Sequence, residues 1–194
     1  ITNRSCGKQG FEIAKALSKR GIDTTLIAGP TNLQSPKNVN TIRVDTANEM
    51  LNETKKNLPS DVVICSAAVS DFKILNFQNK KNKKDNTINL QLEKNIDILS
   101  YLSNHNSLRP KLVVGFAAET ENIIKNAQEK ISKKHCDWII VNDVSKSDIG
   151  FESDFNEVSI IYKNKEKNID FLSKRSKSEI AEKITDKIIE NFVH

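Results

Sequence analysis

The chain has 194 residues, enough for one α/β domain with a well-buried core. Hydrophobic residues make up 37% and charged residues 28%, with only 6 Gly and 4 Pro, which excludes the disordered and fibrous classes. A formal charge of +5, from 30 Lys plus Arg against 25 Asp plus Glu, suits phosphate-bearing small molecules as well as nucleic acid and by itself selects neither.

In chain order, the first periodic pattern is a helix with Phe11, Ile13, Ala14 and Leu17 on its apolar face and Gly21 as its stop. Residues 24–28 (T-T-L-I-A) then read as a strand closed by Gly29-Pro30, and 41–44 as a second strand. Met50, Leu51 and the lysines after them suggest the next helix. The continuous apolar runs 62–66 (V-V-I-C-S), 112–116 (L-V-V-G-F) and 138–141 (W-I-I-V) are expected of strands buried on both faces. Residues 119–134 read as a helix with Ile123, Ile124, Ala127 and Ile131 inward and lysines outward. Residues 158–162 and 168–171 look like a pair of antiparallel edge strands joined by a polar turn. A terminal amphipathic helix over 178–192 carries Ile180, Ile184, Ile188 and Ile189. Residues 73–85 break the alternation: Lys80, Lys81, Lys83 and Lys84 stand in a stretch with little apolar content, a mobile basic flap leading into an alternating edge strand at 88–92.

The class that follows is α/β: a doubly wound, mostly parallel sheet with helices on both faces and a small antiparallel edge or flap. Cys6, Cys65 and Cys136 are scattered and form no C-x-x-C pair, so no disulfide framework or zinc site is read from them. That points to a reducing, cytoplasmic setting. No apolar run reaches the length of a membrane span. The sequence starts without Met and directly in a candidate site loop, which reads as a fragment of a longer protein.

Ligands of an open α/β sheet bind beyond the carboxyl ends of its strands, and four segments fall there. Residues 1–10 (I-T-N-R-S-C-G-K-Q-G) run into a helix; they either present backbone N–H groups to a phosphate or carboxylate, or form a helix start capped by Ser5. In 67–72 (A-A-V-S-D-F), small residues after a buried strand permit a flat ligand to pack, and Asp71 is either a hydrogen-bond acceptor for it or a helix cap. In 115–120 (G-F-A-A-E-T), Phe116 stacks on a base or belongs to the core, and Glu119 binds Mg²⁺ or complements a helix dipole. Lys130 and Lys134 share one helix face, a solvated pair or a clamp for a polyphosphate. Residue chemistry therefore reaches a nucleotide- or phosphate-binding α/β domain, and no reaction.

Six segments in order add more. I-T-N-x-S-x-G-K-x-G, A-A-V-x-D-F, a K-x-K-K flap, K-N-x-D-I-L at 94–99, G-F-A-A-E-T and V-N-D-V-S at 141–145 resemble the phosphopantothenoylcysteine synthetase family, over nearly the whole chain. The resemblance implies a Rossmann-like fold, CTP and Mg²⁺ as co-substrate and metal, and 4'-phosphopantothenate and L-cysteine as substrates. The carboxylate attacks the α-phosphorus to give an acyl-cytidylate and pyrophosphate; the cysteine amine then releases CMP. It also implies a homodimer, with the flap reaching a neighbouring site, and neither nucleic acid nor membrane as partner. In bacteria the family commonly follows a flavin-dependent decarboxylase, so FMN is expected only if such a domain precedes this fragment.

Position by position, the resemblance makes Asn3 the active-site amide that holds the acyl intermediate, and Lys81 the flap lysine that closes over the nucleotide. Asp71, Ile96, Asp97, Ile98, Leu99 and Phe116 match the nucleoside positions, and Lys130 and Lys134 the triphosphate pair. Ser5, Gly7, Ala67 and Ala68 join Asn3 on the substrate side. Cys6 stands for a usual serine, Gln9 for a methionine and Ile96 for a proline. The family's first strand, and a loop with a functional arginine, precede the asparagine and are absent here. Residues 1–194 are thus expected to be one N-terminally truncated domain. A nicotinamide-dependent oxidoreductase is the main rival, but the G-x-G-x-x-G turn is missing from the visible chain. A nucleic-acid module is disfavoured because no aromatic interleaves with the flap lysines. An ATP-using ligase of the same kind remains the nearest alternative.

Overall fold

The computed structural model describes residues 5–75, 90–144, 153–163 and 169–193. In chain order the elements are α1 (Lys8–Lys19), β1 (Thr25–Ala28), β2 (Asn40–Arg43), α2 (Ala47–Lys56), β3 (Val62–Cys65), β4 (Phe72–Ile74) and β5 (Leu92–Lys94). Then come α3 (Ile98–Ser103), β6 (Leu112–Glu119), α4 (Ile123–Lys134), β7 (Trp138–Asp143), β8 (Phe155–Tyr162), β9 (Ile169–Ser176) and α5 (Lys177–Val193). The expected α/β class holds. The central sheet has the order β3-β6-β7-β8-β9, parallel from β3 to β7 and antiparallel from β7 to β9.

The continuous apolar runs are explained by cover on both sides. Strand alternation sends Val62, Ile64, Leu112, Val114, Trp138 and Ile140 to one face, where α1 and α5 contribute Ile13, Ala16, Ile180 and Ile184. Val63, Val113, Ala117, Ile139 and Val141 point to the other, against Leu102 of α3 and Ala127 and Ile131 of α4. Among the described residues no helix is long and apolar enough to cross a membrane.

Several expectations need correction. The described strands form three sheets rather than one: β1 and β2 make their own parallel pair, and β4 and β5 a short antiparallel arm. The alternating strand expected at 88–92 reaches the described structure only at its end. Leu92 pairs with Ile74 in that arm and not at the edge of the main sheet. Of the two strands expected at the edge, β8 lies between β7 and β9, which leaves β9 alone outermost. The helix expected from Glu119 begins at Ile123 instead. Phe116–Glu119 remain extended because Ile140–Asp143 of β7 offer them a ladder partner, and that non-local pairing overrides local helix preference.

Two cap expectations fail as well. Residue 7, not Ser5, is the N-cap of α1: Gly7 adopts φ 77°, a left-handed conformation that costs glycine little. No helix follows Asp71 at all, since β4 starts at the next residue. Asn3, Lys81 and the remaining flap lysines lie outside the described residues.

Candidate functional site at the strand carboxyl ends

A cavity of about 530 Å³ opens where the first turn of α1 meets the carboxyl ends of β1, β2 and β3. Ser5, Gly7, Ala67 and Ala68, the described residues expected on the substrate side, all line it. Apolar wall comes from Phe11, Leu26, Val44, Met50 and Phe72. Such a mixture, mostly apolar with a few fixed polar groups, is the usual make-up of a small-molecule site.

The α1 side of the cavity is pinned by contacts from distant parts of the chain. Thr31 Oγ1 donates to the Cys6 carbonyl at 3.0 Å, which ties the loop after β1 to the segment before α1. Gln9 Nε2 donates to the Lys177 carbonyl at 3.1 Å, and Asn156 Nδ2 donates to Gln9 Oε1 at 3.3 Å. Gln9, an atypical residue by the family resemblance, thus fastens the helix start to β8 and α5. Gly10 sits so close to the end of β3 that a Cβ there would lie 2.6 Å from Ser66 Oγ. The Arg43 guanidinium lies 5.3 Å from the centre of the Phe11 ring and donates to the Leu33 carbonyl at 2.6 Å, bracing the outer wall.

A second group of expected residues assembles on the α3/α4 side of the sheet. Asp97 caps α3, its Oδ1 accepting the Ser100 N–H at 2.9 Å, while its other oxygen takes the Lys134 ammonium. Lys130 donates to Glu119 Oε1 at 2.6 Å, and Asn126 Nδ2 donates to Glu119 Oε2 at 3.0 Å. Each lysine of the expected polyphosphate clamp therefore has a carboxylate partner. Burial opposes ionisation of Asp97, but the Lys134 ammonium and the Ser100 N–H outweigh it and hold the carboxyl below its ordinary range. Glu119 behaves alike: burial raises it, and Lys130 with Asn126 brings it below the usual value.

The two groups are joined by residues 95–97. Asn95, which sequence reasoning passed over, lines the cavity and donates its side-chain amide to the Ser70 carbonyl at 2.8 Å. Its backbone N–H donates to the Asp71 carbonyl at 2.8 Å. Two residues on stands Asp97 with Lys134. The exposed Asp71 and Ile96 flank this bridge. Phe116 is the outlier: half-buried, it packs on the α1/α5 face of β6, across the sheet from Leu99 and Lys130. Its core reading is thus the better supported.

Thiol chemistry at Cys65 and Cys136 is disfavoured. Burial pushes Cys65 up to about 12 and Cys136 up to about 11, so both stay protonated near neutrality. Among the described residues no group of three or more His, Cys, Asp or Glu side chains converges on a metal position.

The chain has relatives among known proteins. Residues 1–192 match the family described as DNA/pantothenate metabolism flavoprotein C-terminal domain. The chain is 41% identical over 194 residues to the coenzyme A biosynthesis bifunctional protein CoaBC of Haemophilus influenzae, covering 99% of this chain and 47% of that protein. It spans about half the length of the curated relatives it matches. The crystal structure of the C-terminal domain of a CoaBC protein superposes with a TM-score of 0.74 at 30% identity, covering 95% of this chain and 82% of that one. A Cab2 mutant in complex with phosphopantothenate-cysteine shares the fold, with a TM-score of 0.71 at 15% identity over 100% of this chain and 82% of that one.

Proposed function

Because the chain belongs to the DNA/pantothenate metabolism flavoprotein C-terminal domain family, we propose that it is the phosphopantothenate–cysteine ligase part of a cytoplasmic coenzyme A biosynthesis protein. It condenses 4'-phosphopantothenate with L-cysteine at the expense of CTP, releasing pyrophosphate and then CMP. The observation that carries this reading is the bridge at residues 95–97. It runs from the mixed apolar and polar cavity to a rim that carries Lys130 and Lys134.

The chemistry needs such a pairing. A carboxylate is a poor acyl donor until one oxygen becomes a phosphate leaving group, so the protein must hold acyl and nucleotide partners together and stabilise the charge that develops. On this reading Ser5, Gly7, Ala67 and Ala68 receive phosphopantothenate, with an anionic group toward the start of α1. Asp71 and residues 96–99 meet the nucleoside, while Phe116, on the other face of the sheet, supports β6 from the α1/α5 side. Lys130 and Lys134 exchange their carboxylate partners for the triphosphate. Asn3 holds the acyl intermediate during amine attack, and Lys81 closes over the nucleotide.

Among the described residues no three carboxylate, histidine or cysteine side chains converge to cage Mg²⁺. On this reading the ion enters as the counter-ion of the triphosphate, keeping most of its water. A homodimer is part of the same proposal. The β4–β5 arm leaves Phe72, Leu75, Leu90 and Leu92 exposed, an apolar surface that a second copy would cover.

The test is stepwise. The full-length protein should release pyrophosphate from CTP only with phosphopantothenate present, and CMP only after cysteine is added. Faster turnover with ATP would move the nucleotide assignment to the related ATP-using ligase. Hydride transfer from a nicotinamide without any pyrophosphate would overturn the ligase reading.

A further inference from the structure

The start of α3, which carries residues proposed to meet the nucleoside, owes its place to an absent side chain in β6. Gly115 is buried in that strand, paired with Cys65 of β3 on one side and Ile139 of β7 on the other. A Cβ at this position would lie 2.7 Å from Leu99 Cδ2 and 2.7 Å from Ile139 Cδ1. Carbon atoms in a close-packed interior do not approach so closely. Leu99 thus occupies the volume a side chain at 115 would take, and α3 sits that much nearer the sheet. From there Asp97 reaches the Ser100 N–H at 2.9 Å and the Lys134 ammonium.

We propose that Gly115 is a positioning residue for nucleotide binding: the missing side chain seats Leu99 against β6 and thereby sets the start of α3 against Lys134. The proposal rests on the nucleotide reading above. A methyl group added at 115 meets both side chains at 2.7 Å, so both must move. Ile139 is 1% exposed and lies in a strand hydrogen-bonded on both sides, so its backbone stays in place and only its terminal methyl can turn aside. Helix α3 has six residues, and Asp97 is the side-chain cap of its N-terminus. The backbone shift therefore falls on Leu99 and the helix start, and draws Asp97 away from Lys134.

The experiment compares full-length wild type, Gly115→Ala, Leu99→Ala and the double variant. Pyrophosphate release is measured with CTP varied at saturating phosphopantothenate. Gly115→Ala should raise the nucleotide KM about tenfold while kcat changes by less than about threefold. Leu99→Ala placed on that background should add little further loss, because the seat it removes is already broken. A lowered melting temperature with unchanged KM, or simple additivity of the two changes, overturns the proposal. Hydrogen exchange at the Ser100 amide gives a readout that needs no chemistry: it should quicken in Gly115→Ala and quicken no further in the double variant. Unchanged exchange sinks the placement whatever the activity. An inactive wild type showing the expected exchange pattern would instead fault the ligase reading and leave the placement standing.

Discussion

Helices α1 and α2 both begin at the wall of the cavity, and their first turns are finished in opposite ways. At α2, Thr46 Oγ1 accepts the Glu49 N–H at 3.1 Å, and Glu49 Oε2 accepts the N–H groups of Asp45 at 2.7 Å and Thr46 at 3.1 Å. The positive end of that helix is satisfied by a carboxylate from its own chain. At α1, Gly7 supplies no side-chain cap and the first turn holds no acidic residue. The Lys8 ammonium there is drawn aside to Asp154. The cavity is thereby polarised. An anionic group of a substrate is favoured at the α1 end and repelled at the α2 end, where Glu49 already stands.

The strongest way to break that contrast is Gly10→Ala, which would force the first turn of α1 away from Ser66. The KM for phosphopantothenate should rise by about tenfold or more, and Ser66→Ala should recover most of the loss. An unchanged KM in pyrophosphate-release assays would mean that α1 is not the receiving end. Thr46→Ala probes the closed end. Loss of that cap should cost about 1 kcal/mol and lower the melting temperature by about 2–4 °C, with the substrate KM unaltered. A KM effect as large as that of Gly10→Ala would erase the distinction between the two helices.

The smallest effect sharpens the electrostatic part. The backbone N–H groups of Asp45 and Thr46 hold the Glu49 carboxyl below its ordinary range. A carboxyl depressed in the folded state adds stability above its unfolded pKa, and that contribution is lost as pH falls through the folded value. The difference in melting temperature between wild type and Glu49→Gln should therefore be full at neutral pH and close as the pH drops below about 4. A difference that persists in stronger acid would show that the side chain acts through packing and not through charge.

Different parts of this molecule were legible to different degrees. The runs 62–65 and 138–141 announce buried strands because nothing polar interrupts them, and the faces of α4 and α5 follow from the spacing of their isoleucines. Glu119 misled because its local context favours a helix start while its actual partner, Asp143, lies 24 residues further on. Ser5 and Asp71 misled for a related reason. Both are good capping residue types, but Gly7 takes the turn in one case and strand pairing with residues 92–94 begins at once in the other. The lysine partners Asp97 and Glu119 had no signature in spacing, since each comes from a different element than the lysine it meets.

Composition and pattern alone settled the α/β class, the alternation of strands with amphipathic helices, and the gathering of small and polar residues where strands end. Those are local properties, written in the period of side chains along one segment. Tertiary structure decided how the site is divided: Phe116 on one side of the sheet, the lysines on the other, Asn95 and Asp97 between them, and Gly115 making room for Leu99. None of these follows from a segment read alone, because each depends on which distant backbone lies within a few ångströms, and that is set only when the strands choose their neighbours.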